Sequence, residues 1–419
     1  MVARPIPRPV RPVRLTRNRA VIALAAGVLL LSLFGYMHGA YGHGDIDLYR
    51  RYALAFWSGP HPFHALPAEY PLVALVPFAL TLLPGPGDSV TVFGLGMLLL
   101  LAAGYVAVRR RESARTAEVC AVYLGLGCFA TVLGRYDLVP AAAVVVAYWA
   151  ARRRRFDLAY GLLAVGTLLK LYPLLVVPVV AIEQFRTLGV NPLRLRPPRE
   201  VVRGLAIFSV AVAGGFALAA VLDPSRWLGP FSFNAHRPLQ VESVPASLLW
   251  LTGLAGLPIA ADRSFNSYNL VGRASELIGL AATLALVGGC LLVYWRQLNR
   301  RLGFGRALAL CVLVVICTNR VLSPQYLVWV LPLVAIVEGD YDLVWLAVCA
   351  LTTAIFPYVY DSTGLRGEPM PAQYPLYFPA LIAVRNALLI LATVRFATRP
   401  ARLRAREAAP ARPVPSWRA

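Results

Sequence analysis

Arginine in this chain falls in clusters, and the clusters alternate with apolar runs; that alternation constrains the fold more than any other feature. Six arginines precede the apolar run Ala20–Leu33, and further clusters stand at Arg109-Arg110-Arg111, Arg152–Arg155, Arg186–Arg203 and Arg296–Arg306. Loops that stay on the cytoplasmic side of a membrane carry this excess of positive charge. The chain is 58% hydrophobic and 15% charged, with mean hydropathy +0.64. A soluble domain is nearer half apolar and a quarter charged. The net charge of +21 would suggest nucleic acid in a soluble protein, but here it is spread over inter-span loops, which argues against nucleic acid as a partner. The composition therefore predicts an all-α polytopic membrane bundle, its length counting spans and not soluble domains.

A helix needs about 20 apolar residues to cross a bilayer. Ala20–His38 reads as a retained signal-anchor span behind a basic cytoplasmic tail, residues 1–19. The polar stretch Gly42–Pro71 follows outside, within an external loop at 39–71. Leu72–Leu83, bounded by Pro71 and Pro84, reads as non-spanning, because only that count puts the arginine clusters at 109–111 and 152–155 inside. Ser89–Val108, Val119–Leu133, Leu138–Ala151, Leu205–Leu222, Ala274–Trp295, Leu343–Val359 and Leu376–Phe396 read as spans, and Ala246–Ala261 as interfacial. Two pairs of short arms remain, Asp157–Leu169 with Leu171–Ile182 and Leu308–Thr318 with Gln325–Val337. At 1.5 Å per residue such arms rise about 20 Å, short of the roughly 30 Å hydrocarbon core. Each pair reads as a hairpin whose turn, around Lys170 or Arg320, lies in a depression. The total is about twelve spans in one domain, 20–396, with both termini cytoplasmic and a basic tail at 397–419. The six cysteines all lie in apolar runs and read as small buried residues.

Several residues in this frame could carry chemistry. Asp45 and Asp47 stand two apart in the first external stretch. A carboxylate there could take a proton from an attacking hydroxyl, two could hold a divalent cation, or both could simply cap a helix that starts near Leu48. Lys170, the only lysine among 41 basic residues, interrupts an apolar run and needs a cavity, a partner or an interface. Arg320 has the same readings. Arg135-Tyr136-Asp137 at another outer turn reads as an Arg–Asp salt bridge, and His61 and His64 with Glu69 as polar surface more than as a metal site. Tyr49, Tyr52, Trp57, Tyr70 and Trp227 fit an aromatic interface belt as well as sugar stacking.

Asp45-Ile-Asp-Leu-Tyr49, Ser58-Gly59-Pro60 and Glu69-Tyr70-Pro71 together resemble the first external loop of GT-C glycosyltransferases, most closely the family 87 polyprenyl-phosphate-mannose-dependent mannosyltransferases. Gly161-Leu162-Leu163 leading to Leu169-Lys170-Leu171-Tyr172-Pro173 is similar to that family's Gly…Lys-x-Tyr-Pro segment. Ser323-Pro324-Gln325-Tyr326-Leu327, with Trp329 and Pro332, is similar to its late Ser-Pro-Gln-Tyr signature. The chain departs from the pattern at Tyr70-Pro71-Leu72, where the family has Tyr-Pro-Pro. The resemblance implies a polyprenyl-phosphate-linked hexose as donor and co-substrate, a glycolipid or glycan acceptor at the outer face of the plasma membrane, and inverting transfer. It implies an aspartate general base, for which Asp45 and Asp47 compete; alignment on Tyr49 favours Asp45. Lys170 and Arg320 would hold the donor phosphate, with Tyr49, Tyr70, Tyr172 and Gln325 as further substrate contacts and no metal or other cofactor. A flippase for a lipid-linked sugar, or an enzyme using lipid-linked arabinose, is the alternative.

Overall fold

The computed structural model describes residues 44–83, 89–191, 196–254, 259–360 and 377–399. The predicted first span, the basic tail before it and nearly all of the C-terminal tail lie outside the described residues.

The chain is mostly helical. Within the segment read as the first external loop runs a helix, α1, Gly44–Ser58, with Asp45 and Asp47 both in its first turn. There they complement the positive end of the helix dipole. The segment Leu72–Leu82 is a run of single helical turns. Then come α2 (Ser89–Arg111), α3 (Ala114–Gly127), α4 (Leu138–Arg152) and α5 (Phe156–Leu169). The chain turns extended at Lys170, makes the tight turn Tyr172–Val176 and continues as α6 (Val177–Thr187). The long helix α7 (Arg199–Leu222) crosses α5 closely, and its glycines show why. A Cβ at Gly204 would stand 2.3 Å from the Tyr160 ring, and one at Gly215 would stand 2.6 Å from Leu168. Eleven residues are about three turns, so both glycines lie on one face.

After α8 (Gly229–His236), the chain forms a feature that the apolar pattern does not announce, a three-stranded antiparallel sheet. It comprises β1 (Leu239–Gln240), β2 (Ala260–Ser264) and β3 (Ser267–Val271) in the order β1-β3-β2, with α9 (Val244–Leu254) between β1 and β2. Ser264 pairs with Ser267 across a two-residue loop in which Phe265 and Asn266 both have φ +53°. That is the geometry of a type I′ hairpin turn, matching the strand twist.

The chain closes with α10 (Arg273–Leu298), α11 (Phe304–Thr318), α12 (Leu327–Glu338), α13 (Leu343–Thr353) and α14 (Tyr377–Thr398). Between α11 and α12 the backbone is extended at Asn319 and at Ser323, the latter as expected before Pro324. α12 is apolar all round and enclosed from Leu327 to Ile336, so it is the axis of the main core. A second core, built on Leu239, Val241, Leu270, Ile355, Phe378 and Ile382, joins the sheet to α14.

Four helices, α2, α7, α10 and α14, are long and apolar enough to cross a membrane. Their outward faces carry exposed Leu99, Val210, Val221 and Leu284, which a water-soluble surface would not leave in such number. The remaining apolar helices among the described residues have 10–17 residues.

Candidate active site

A cavity of about 780 Å³ opens where the two helix breaks, α1, the Glu69–Pro71 segment and the hairpin tip meet. The volume is within the usual range for a ligand site. Asp45, Tyr70, Lys170, Tyr172, Arg320 and Gln325 all line it. Asp47 and Tyr49 do not. A helix turns about 100° per residue, so two residues apart means nearly opposite sides; Asp45 faces the cavity and Asp47 is exposed. Tyr49 is 1% exposed and lies behind the wall, stacked on Phe78 at 4.3 Å with the edge of Tyr136 at 5.5 Å.

Charge in the cavity is paired across elements. The expected Arg135–Asp137 bridge is replaced by two others: Arg135 pairs with Asp45, and Asp137 pairs with Lys170. Each of the two side chains meets a partner on another element. The Lys170 ammonium is 2.6 Å from Asp137 Oδ1, and Trp329 donates its Nε1–H to the same oxygen at 2.7 Å. Four rings, those of Tyr70, Tyr136, Tyr326 and Trp329, surround the ammonium at 5.1–6.0 Å from their centroids. Tyr172 and Tyr326 stack on Trp329 at 4.3 and 4.0 Å, which fixes the indole.

Arg320 is held differently. Its guanidinium donates to the carbonyls of Gly279, Ala235 and Arg237 at 3.3–3.4 Å, and among the described residues no carboxylate pairs with it. Gly279 permits the approach, since a Cβ there would be 3.1 Å from Arg320 Nε. The Gln240 N–H donates to the Arg320 carbonyl, and its Oε1 accepts from the Leu322 N–H, both at 2.9 Å, so the sheet braces this turn. Gln325 accepts from the Ser323 hydroxyl beside it.

Further cavity residues escaped the sequence reading or entered it for another reason. Two further cations line the cavity: Arg263, 5.8 Å over the Tyr268 ring, and Arg237, 5.6 Å over the Phe233 ring and donating to Ser267 Oγ. Arg237 was hidden in a Pro- and Phe-rich loop with no motif around it. Glu69 accepts from the Tyr52 hydroxyl at 2.9 Å and from Asn266 Nδ2 at 3.4 Å. Burial pushes its carboxyl above the ordinary range; the Tyr52 hydrogen bond opposes this and nearby Asp45 adds to it. Glu242 accepts from the Tyr360 hydroxyl at 2.9 Å and pairs with Arg385 at 3.4 Å, both side chains almost wholly enclosed. Burial raises the Glu242 carboxyl too, against the pull of Arg385. His61 and His64 line a separate small pocket away from Glu69. Among the described residues no three His, Cys, Asp or Glu side chains gather as metal ligands.

Three carboxylates and five cations around one hollow, in a bundle with helices long and apolar enough to cross a membrane, suit displacement chemistry on an anionic, membrane-anchored substrate. No curated protein matches the chain. The profile of glycosyltransferase family 87 matches residues 69–324, more than half of the sequence. The match takes in Tyr70, Lys170, Tyr172 and Arg320, while Asp45 precedes it and Gln325 follows it. The chain belongs to glycosyltransferase family 87 and is a membrane glycosyltransferase.

Proposed function

We propose that this protein transfers a hexose, with mannose the first candidate, from a polyprenyl-phosphate donor to an envelope glycolipid or glycan. The reaction takes place at the outer face of the plasma membrane, in a bundle of about twelve crossings with both termini cytoplasmic. The observation that supports this reading is that Asp45 shares one cavity with Lys170 and Arg320. In the proposed step Asp45 takes the proton of an acceptor hydroxyl as that oxygen attacks the anomeric carbon. The bond from that carbon to the phosphate oxygen breaks on the opposite side, and its electron pair leaves with the polyprenyl phosphate. The anomeric configuration inverts. Lys170 and Arg320 stabilise the charge that grows on the departing phosphate. Arg135 holds the Asp45 carboxylate in place, and Tyr70, Tyr172 and Gln325 shape the walls around the donor head.

The test compares wild type with Asp45→Asn in membranes, using radiolabelled polyprenyl-phosphate-mannose, then the arabinose analogue, with extracted envelope lipids as acceptors. Loss of transfer by a factor of about 100 or more with donor binding retained is the expected outcome for a lost general base. Equal transfer by the two proteins removes Asp45 from the role. A wild type that binds the lipid and transfers neither sugar turns the reading toward a flippase.

A further inference from the structure

The Arg135-Tyr136-Asp137 turn supplies one partner each to Asp45 and Lys170, and Asp137 carries an inference beyond the ion pair itself. Its side chain is 1% exposed, whereas that of Lys170 is 17% exposed and lines the cavity. The ammonium therefore has a carboxylate behind it and the cavity in front. An ammonium has three N–H donors. One goes to Asp137 Oδ1 at 2.6 Å, and the ring of four aromatic faces offers no hydrogen-bond acceptor of comparable strength. Asp137 is itself fixed by the Trp329 indole at 2.7 Å, and that indole is clamped between Tyr172 and Tyr326. Asp137 Oδ2 is buried with no hydrogen-bond partner. An enclosed carboxylate oxygen left unsatisfied is costly, and it persists here because Oδ1 is anchored twice.

We propose that Asp137 is the positioning residue for donor binding: it anchors the Lys170 ammonium from behind and aims the remaining two N–H bonds at the phosphate of the lipid-linked sugar. This rests on the donor assigned above. Tyr172 and Trp329 act in the same assembly as the wall that fixes Asp137, without contacting the phosphate.

The experiment is a double-mutant cycle on Asp137→Asn and Lys170→Gln in the full chain, with Asp137→Glu as the conservative variant. Sugar-free polyprenyl phosphate serves as the binding probe, and kcat and KM for the donor are measured alongside. Asp137→Asn is expected to weaken probe binding about thirtyfold or more, as when one partner of an enclosed charge pair is lost. It should raise KM more than it lowers kcat, and Asp137→Glu should recover most of the loss. Added to Lys170→Gln, Asp137→Asn should cost nothing further, because it acts through the ammonium. Additive losses, or Asp137→Asn binding like wild type, overturn the proposal. If Asp137→Asn alone does not fold, the doubly neutral variant replaces the enclosed unpaired cation and is compared with Lys170→Gln; weaker probe binding by the double variant then overturns it. A wild type that does not bind polyprenyl phosphate sinks the donor reading instead. The cycle is then read on thermal midpoints, where absence of coupling between the two positions overturns the inference about Asp137.

Discussion

Glu69 shows how one side chain can report on the whole site. Its carboxyl is lifted above the ordinary value of 4.5, first by burial and then by Asp45, with the Tyr52 hydroxyl pulling the other way. The folded chain thus holds the Glu69 proton more tightly than the unfolded chain does. Folding stability falls as pH rises from the unfolded value through the raised one, since the native state must give up a proton it retains well. Glu69→Gln keeps the Oε1 acceptor for Tyr52 and cannot ionise. We expect the thermal midpoint of wild type in detergent to drop more between pH 4.5 and pH 7 than that of Glu69→Gln. Equal drops would mean that Glu69 is fully solvated in the folded protein. Glu69 was visible in the sequence as part of Glu69-Tyr70-Pro71, but its partner was not. Asn266 lies nearly two hundred residues away, and only the folded hairpin brings the two together.

At the scale of elements, the two helix breaks were the most legible part of the site. A lysine inside an apolar run, and a polar turn followed by proline, mark places where a buried helix cannot continue, and the backbone leaves the helix at both. The helix α1 was legible only as one of three readings of Asp45 and Asp47, because a short amphipathic stretch between spans resembles a loop. The sheet was not legible: β1 has two residues, and β2 is solvent-facing and lacks alternation. Its one local sign is Asn266 at a left-handed turn position. Asn266→Val should therefore destabilise the hairpin by about 1–2 kcal/mol, lowering the thermal midpoint and loosening the roof over Glu69. Asn266→Gly should leave the midpoint nearly unchanged, because glycine adopts that backbone freely. Equal loss in both variants would place the effect in the Asn266–Glu69 contact and not in the turn.

Over the whole molecule, the cations of the cavity come from five separate segments: Arg135, Lys170, Arg237, Arg263 and Arg320. The arginine clusters on which the sequence-based reading of membrane orientation rests supply none of these five residues. Their convergence depends on the complete bundle, with the sheet bracing one break and α4 the other, so no local window of sequence could show it. On the proposed donor, a monophosphate leaving group, these side chains would supply the positive charge that a divalent cation otherwise provides. Transfer should accordingly persist at better than half its rate after chelation by EDTA. Reversible abolition by the chelator, restored by added magnesium or manganese, would contradict this.

Lys170 has one more consequence. It is the only lysine in 419 residues, and it stands in the cavity wall. Reagents that acylate amines ordinarily scatter over a protein surface; here a single side chain offers them a target. Covalent tagging of the unaltered protein, followed by mass spectrometry of one peptide, becomes a direct gauge of how full the cavity is. Any compound that occupies the lysine's side of the cavity will register as protection.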